Sequence, residues 1–178
     1  MKPRTLSFDD GFFAQFHGKV LVVGILMQGH ETLEAVTADQ VTIDGDDSNQ
    51  ILKRKILEHK PLNAVFLDGS ALGGFNIVDI DALQTETNTP VVALTKNKPN
   101  PEKTRAALEH VSNTKEKLNK LKANGPIHEH KKLFFHCAGI TPEKAKQLID
   151  STSKNSIPEG LRIAHMVASG ITRSVKID

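Results

Sequence analysis

The sequence contains a single cysteine and no long apolar run. Its single cysteine, Cys137, excludes an internal disulfide and a zinc site made of cysteines. The longest apolar run, Val20 to Met27, is interrupted by Gly24 and is much shorter than the roughly 20 residues of a transmembrane helix. The first residues do not lead into the apolar segment of a secretory signal. We therefore expect a cytoplasmic protein that does not use a membrane as a partner.

The chain length and the charge distribution favour one domain with two electrostatic halves. A chain of 178 residues is long enough for one well-covered core, so we expect a single domain over residues 1–178. Residues 1–98 carry nine basic and 13 acidic side chains, whereas residues 99–178 carry 14 basic and eight acidic ones. An acidic cluster facing a basic surface suits an enzyme that holds a metal ion and binds a polyanion. A solvated lysine-rich helix face is the alternative explanation.

Hydrophobic periodicity predicts strands and helices in a mixed α/β order. The predicted strands cover Thr5–Phe8, Lys19–Met27, Leu33–Ile43, Asn63–Leu67, Val91–Thr95 and Lys132–Cys137. The predicted helices cover residues 48–59, 77–83, 101–123, 142–149 and 158–171. A turn signal after the second strand indicates an antiparallel hairpin with the third. The long third helix is expected to present four lysines to solvent or to a polyanion: Lys115, Lys117, Lys120 and Lys122.

Aspartates stand at the ends of several predicted strands. Asp68 follows a buried strand and precedes Gly69, and Asp9 ends the first strand. Ligands of open α/β sheets bind at the carboxyl ends of the strands, so these two side chains are expected at one rim. Asp44, at the end of the third strand, is the third candidate, with Asp47 as its competitor. Carboxylates grouped in this way hold Mg²⁺ or Mn²⁺ for phosphodiester cleavage, although each could instead serve as a turn or cap residue.

Basic side chains and one histidine could complete this rim. Lys96 and Lys98 follow the strand after Asp68, where an ammonium group would contact a substrate phosphate. Arg162 and His165 lie three residues apart on the last helix and therefore share a face. Exposed loop lysines and partly buried structural histidines are common, so these roles depend on proximity to the acids. With the antiparallel first three strands and parallel later strands that we expect, the mixed sheet resembles the ribonuclease H-like fold.

Three motifs together resemble one known family. They are Ser7-Phe8-Asp9-Asp10-Gly11, the stretch from Leu67-Asp68-Gly69 to Gly74-Phe75-Asn76-Ile77-Val78-Asp79, and Ile157-Pro158-Glu159-Gly160-Leu161-Arg162-Ile163-Ala164-His165. This combination resembles the archaeal endonuclease dU family, which is related to endonuclease V, and the likeness extends over nearly the whole chain. The resemblance implies a ribonuclease H-like domain that uses Mg²⁺ to nick DNA at deaminated bases, with deoxyuridine assigned to this family.

The resemblance also assigns roles to individual residues. Asp9 and Asp68 match the two aspartates that would bind metal, while Lys96 and His165 match the lysine and the histidine near it. Asp44 would take the place of a glutamate of endonuclease V, so Asp9, Asp44 and Asp68 form the expected ligand set. Gly160 stands where a proline is common in the family motif.

The absence of tyrosine and tryptophan affects base recognition more than cleavage. The chain lacks the aromatic wedge with which endonuclease V probes a duplex, so stacking on an extruded base would require Phe12, Phe13 or Phe75. Two alternatives to a DNA endonuclease remain: a nucleic-acid-binding module without turnover, and a ribonuclease acting at inosine. The oligomeric state is open, with a homodimer as one option.

Overall fold

Seven strands form one mixed sheet in the part of the chain that the computed structural model describes, residues 2–14 and 17–174. Its strands are β1 (Arg4–Asp10), β2 (Lys19–Gln28), β3 (Thr32–Thr42), β4 (Ala64–Asp68), β7 (Val91–Thr95), β8 (His128–His130) and β9 (Leu133–Ala138). A separate two-stranded pair is formed by β5 (Ala71–Leu72) and β6 (Asn76–Ile77). The helices are α1 (Ser48–Glu58), α2 (Ile80–Thr87), α3 (Pro101–Leu108), α4 (Thr114–Ala123), α5 (Pro142–Thr152) and α6 (Glu159–Ser174).

The strand order of the large sheet is β3-β2-β1-β4-β7-β9-β8. The first three strands pair antiparallel, and β1, β4 and β7 are parallel neighbours, which confirms the expected mixed sheet. The carboxyl ends of these three parallel strands therefore meet at one rim. The final strands depart from the expected parallel order, because β9 pairs antiparallel with both β7 and β8. Only Lys131 and Lys132 join β8 to β9, and so short a connection makes an antiparallel hairpin.

Side-chain alternation along β1 divides the core into two layers. Leu6 and Phe8 are buried in a cluster that also includes Leu52 of α1 and Leu83 of α2. Ser7 and Asp9 point to the other face, on which α6 packs against β1 and β2. The buried carboxylate of Asp9 on β1 therefore faces α6. None of the helices in the described ranges has the length and apolar character of a membrane span.

The predicted long third helix is wrong, because the structure contains two helices there. Helix α3 ends at the buried Leu108, and Asn113 adopts a left-handed conformation with φ of 58° before α4 begins. The hydroxyl of Thr114 donates to the carbonyl of Leu108 at 2.7 Å and stabilises the turn. The short second helix also starts later than expected, at Ile80, with the Asp79 side chain accepting a hydrogen bond as its N-cap.

One lysine of α4 does not face solvent. The Lys117 side chain is fully buried, and its Nζ donates to the carbonyl of Gly45 at 2.6 Å and lies 3.2 Å from Asp46 Oδ1. The charge pattern of the sequence suggested an exposed ammonium at this position. Its burial attaches α4 to the turn after β3 instead.

Candidate metal centre and adjoining clefts

Two carboxylates and one imidazole meet at the rim of the parallel strands. Asp9 lies near the end of β1 and Asp68 is the last residue of β4, and Phe8 and Leu67 are paired in the parallel register of these strands. His165 reaches the same place from α6. One ligand atom from each of Asp9, Asp68 and His165 lies within 4.8 Å of the other two. These spacings allow the three side chains to share one ion.

The buried carboxylate of Asp9 dominates the electrostatics of this cluster. Burial raises the pKa of Asp9 to about 7, and the negative charge of Asp68 adds to the rise. A hydrogen bond from His165, whose Nδ1 is 2.8 Å from Asp9 Oδ2, acts in the opposite direction, as does the backbone N–H of Asp10. A buried carboxylate beside a second negative charge is unfavourable without a nearby cation. The arrangement therefore favours a bound metal ion.

Asp68 stands at the exposed mouth of the cluster and is influenced by two basic groups. Its surroundings remove it partly from water, which raises its pKa, while His165 and Lys96 lower it. The position that the sequence predicted for Lys96, near the strand-end acids, agrees with this interaction. Lys96 thus places a positive charge close to the acids.

Asp44, which we expected to be the third metal ligand, does not join the cluster. Its Oδ1 accepts a hydrogen bond of 2.7 Å from the Phe75 backbone N–H, and its own N–H donates to the Gly73 carbonyl at 2.8 Å. Asp44 has a φ of 54°, a left-handed conformation that aspartate tolerates better than most residues. Asp44 therefore supports the glycine-containing loop between β5 and β6 and is not positioned as a ligand of the cluster.

Strand order explains why the third acid lies elsewhere. β2 separates β3 from β1, and Asp9 is level with Ala38 of β3, so β3 continues for four residues past the level of Asp9 before it ends at Thr42. Asp47 is engaged as well: its carboxylate accepts hydrogen bonds from the Thr42 hydroxyl at 2.7 Å and the Asn76 amide at 2.6 Å. Neither candidate for the third ligand is available to the cluster.

A carboxylate that sequence reasoning passed over lies next to the cluster. Asp10 is the last residue of β1 and accepts a hydrogen bond from the backbone N–H of Gly73. Burial raises its pKa, and the charge of Asp68 contributes to the rise. Asp10 and Asp44 therefore hold the same loop from two sides. The position of Asp10 directly after Asp9 was the feature of the sequence that could have indicated it. Neighbouring residues of a strand point to opposite faces, however, so Asp10 was not expected beside Asp9.

A cleft of about 280 Å³ opens on the α6 side of the rim. Asp68, Lys96, Arg162 and His165 supply its ionisable groups, and Leu94 and Leu161 are among its apolar walls. The guanidinium of Arg162 is held by Glu159, with Nε and Nη2 donating to the two carboxylate oxygens at 2.9 and 2.6 Å. The cleft therefore combines a carboxylate, an imidazole and two basic side chains.

A second cleft, of about 330 Å³, lies beside the first, and Thr95 and Asn97 border both. Phe75 and Lys98 line the second cleft. The other two phenylalanines considered for stacking lie elsewhere: Phe13 packs against the core, and exposed Phe12 has the Arg173 guanidinium 5.5 Å from its ring centroid. Of the three candidates, Phe75 is thus the one that lines a cleft at this rim.

His136 also lines the second cleft, and sequence reasoning missed it. It was assigned only to a strand, because a single histidine in an apolar run carries no signal of its own. The cleft arises from the pairing of β9 with β7, which the sequence did not predict.

The fold and the family are both found in other proteins. The family model described as Endonuclease dU matches residues 2–172. A UPF0215 protein of Methanopyrus kandleri is 32% identical over 180 residues, with 96% of this chain and 91% of the relative covered. A UPF0215 protein of Thermococcus gammatolerans is 35% identical over 178 residues, with 94% and 91% covered.

Solved structures share the architecture. A protein of unknown function from Archaeoglobus fulgidus superposes with a TM-score of 0.89 at 33% identity, with 96% of this chain and 98% of that chain covered. Endonuclease V of Ciona intestinalis, in complex with a 24mer DNA containing an inosine followed by a ribo-adenosine, gives a TM-score of 0.64 at 15% identity. That match covers 98% of this chain and 87% of the other. The catalytic domain of human endonuclease V gives 0.63 at 16% identity, with 97% and 83% covered.

Proposed function

Because the chain belongs to the endonuclease dU family, we propose that it is a metal-dependent endonuclease that nicks DNA at deaminated bases, with deoxyuridine as the preferred lesion. The observation that carries this proposal is the convergence of Asp9, Asp68 and His165 within 4.8 Å at one rim of the sheet. The fold shared with endonuclease V, one example of which is bound to inosine-containing DNA, supports the same conclusion. In this proposal the protein acts in DNA repair in the cytoplasm.

The residues of the cluster fit a hard divalent cation such as Mg²⁺ or Mn²⁺. Two carboxylates supply the oxygen ligands that these ions prefer, and a cation would offset the burial and the neighbouring Asp68 charge that raise the pKa of Asp9. A bound ion would lower the pKa of a coordinated water and neutralise charge that develops on the scissile phosphate. Asp9 and Asp68 are the proposed ligands, and Asp44 is not among them.

The remaining polar groups position this machinery and the substrate. Nδ1–H of His165 donates to Asp9 and fixes the orientation of that carboxylate, as groups behind a metal ligand commonly do. Lys96 lies at the mouth of the first cleft, where its ammonium binds a non-bridging phosphate oxygen. These contacts would hold the scissile phosphate over the two acids.

The second cleft is the proposed position of the damaged base. An enzyme that reads a base lesion in a duplex usually extrudes the base into a pocket. The cleft begins at Gly69, directly after Asp68, and Phe75 offers an aromatic surface for stacking. Asp10 and Asp44 fix the loop that carries Phe75, so the stacking surface is held in place by charged hydrogen bonds.

One alternative substrate has a specific observation in its favour. The Ciona intestinalis complexes contain an inosine followed by a ribo-adenosine, so cleavage next to a ribonucleotide is the second candidate function. A binding module without turnover is the other outcome that the experiment below distinguishes.

The test is a nicking assay on labelled oligonucleotides that differ at one position. Substrates carry one deoxyuridine, one deoxyinosine, one inosine followed by a ribonucleotide, or no lesion, and each is incubated with Mg²⁺, with Mn²⁺ or with chelator. We expect metal-dependent nicks, fastest beside deoxyuridine. Binding without a nick in any metal would overturn the enzymatic proposal, and a preference for the ribonucleotide substrate would assign the second function.

A further inference from the structure

His136 lies on the wall of the second cleft, across the sheet from the acids. It is paired with Ala93 of β7, and Ala93 is paired in turn with Leu67 of β4. Two strand spacings place it about 10 Å from β4. Asp68 follows Leu67 and so points to the opposite face. The cleft beside His136 is thus separate from the acid cluster but close enough for one nucleotide strand to reach both.

The hydrogen bond that His136 makes determines which ring nitrogen carries the proton. Nδ1 is 3.1 Å from the carbonyl oxygen of Gly125, which can only accept, so Nδ1 is the donor. Burial lowers the pKa of His136 by more than hydrogen bonding to the backbone of Gly125, Asn124 and Pro126 raises it, which favours the neutral ring. Nε2 then bears a lone pair, because Nδ1 carries the single proton of the neutral ring. His136 therefore offers a fixed acceptor at the border of the cleft.

Deamination changes the hydrogen bonding of a base at one ring position. Uracil carries N3–H where cytosine has a lone pair, and hypoxanthine carries N1–H where adenine has a lone pair. An acceptor at this position attracts the deaminated bases and repels their parents. Thymine and guanine also carry a ring N–H, so the same acceptor does not distinguish them from uracil and hypoxanthine.

We propose that Nε2 of His136 accepts the ring N–H of the extruded base and thereby selects uracil and hypoxanthine over cytosine and adenine. This inference rests on the proposed function, because it places the damaged base in the second cleft. Phe75 and Leu121 border the same cleft and supply apolar contact for a planar ring. Exclusion of thymine is assigned to the fit of the cleft around the additional methyl group rather than to His136.

The experiment uses single-stranded oligonucleotides that are identical except for a central uracil, cytosine or thymine. His136→Asn is the test variant, since its amide can still donate to Gly125 but places no acceptor at the position of Nε2. His128→Asn is the matched control, because His128 lies on the neighbouring strand and packs against Phe135, with 5.3 Å between the ring centroids. Affinity for each strand is measured with chelator present, and nicking is measured with Mg²⁺. Thermal unfolding checks that both variants fold.

We expect His136→Asn to lower the preference for uracil over cytosine about tenfold, the effect of one hydrogen bond exchanged for a repulsion. The preference for uracil over thymine should stay unchanged, and His128→Asn should change neither ratio. A structural role of His136 would lower the melting temperature and leave both ratios intact, and that result overturns the proposal. The binding measurement is independent of cleavage, so a wild-type protein that binds uracil selectively but does not nick contradicts only the proposed nuclease function. Equal affinity of wild type for uracil and cytosine overturns the role of His136.

Discussion

Asp9 is the residue whose ionisation is most strongly altered by the fold. Its pKa is raised from 3.8 to about 7, so the folded state binds this proton more tightly than the unfolded state does. As pH rises from about 4 to about 7, the unfolded chain loses the proton first, and the free energy of unfolding therefore falls. The charged carboxylate is thus a source of instability at neutral pH unless a cation compensates it.

We predict that Asp9→Asn raises the melting temperature of the metal-free protein at pH 8. The amide keeps the shape of the side chain and removes the buried charge, and each kcal/mol relieved corresponds to about 2–4 °C. The gain should shrink as pH falls toward 5, because the wild-type carboxyl is then protonated in the folded state. Calorimetry with chelator at both pH values checks this, and an equal or lower melting temperature for the variant at pH 8 would contradict it.

Lys117 is a second residue that burial affects, because its ammonium contacts the turn after β3 instead of facing solvent as expected. Lys117→Met keeps the aliphatic volume but leaves the Gly45 carbonyl without its donor and Asp46 without its buried partner. We expect a loss of about 1–3 kcal/mol in the free energy of unfolding. Lys115→Met, at an exposed position of the same helix, is the control and should change stability by less than about 0.5 kcal/mol. Equal effects of the two substitutions in a denaturant titration would refute a structural role for the Lys117 ammonium.

At the residue scale, sequence patterns predicted the strand-end positions of Asp9 and Asp68 and placed His165 on the last helix. These patterns failed for Asp44 because the sequence shows only that this residue follows a strand. The distance between two possible metal ligands depends on the order of the strands in the sheet. β3 ends at the same rim but two strands away from β1. They also gave no indication of His136, whose role depends on which strand lies next to β7.

The contact between α6 and β1 is the element-scale feature that brings His165 to Asp9. Gly160 allows it, because a Cβ there would be 2.4 Å from Ser7 Oγ and 3.0 Å from Ser7 Cβ. Ser7 is fully buried in a strand, so it has little room to move away. The first turn of α6 can lie this close to the sheet only without a side chain.

We predict that Gly160→Ala destabilises the protein by about 1–3 kcal/mol, as expected when an added methyl group forces packed elements apart. The variant should also cleave more slowly, since displacement of α6 moves His165. Gly170→Ala provides a control on the same helix, because a Cβ there would meet no other described part of the protein within 4 Å beyond its chain neighbours and the backbone of α6 itself. That substitution should stabilise the protein by up to about 1 kcal/mol through helix propensity. Similar stability changes for both alanines, measured by denaturant titration, would show that the contact with Ser7 is unimportant.

At the same scale, most elements could be predicted from periodicity, including β4, β7 and α5. The division between α3 and α4 could not, since the turn at Asn113 contains no proline or glycine and depends on a left-handed residue. The two-residue strands β5 and β6 were also missed, because strands this short leave no alternating pattern. The turn between α3 and α4 and the strands β5 and β6 all lie beside the second cleft or in the segments that support it.

At the scale of the whole molecule, two clefts lie side by side at one rim of the part that the structure describes, and Thr95 and Asn97 border both. The acid cluster lies on the side of α6, whereas the loop fixed by Asp10 and Asp44 lies beside the second cleft. In the proposed function, Asp9 and Asp68 serve cleavage, whereas Phe75 and His136 serve base recognition. Predictions of a single domain over residues 1–178 and of a homodimer as one oligomeric option remain predictions.

The most direct test of the central claim is the single-turnover rate of nicking at deoxyuridine with saturating Mg²⁺, compared among wild type, Asp68→Asn and Asp44→Asn. The asparagine at position 44 can still accept the hydrogen bond from Phe75, so only the charge of a non-ligand is lost. We predict that Asp68→Asn is slower by more than about 100-fold, beyond the effect of removing a group that only supports a ligand. Asp44→Asn should remain within about threefold of wild type, since the hydrogen bonds of the loop are retained. An equal loss in both variants, or an unimpaired Asp68→Asn, would contradict the assignment of the metal centre to Asp9 and Asp68.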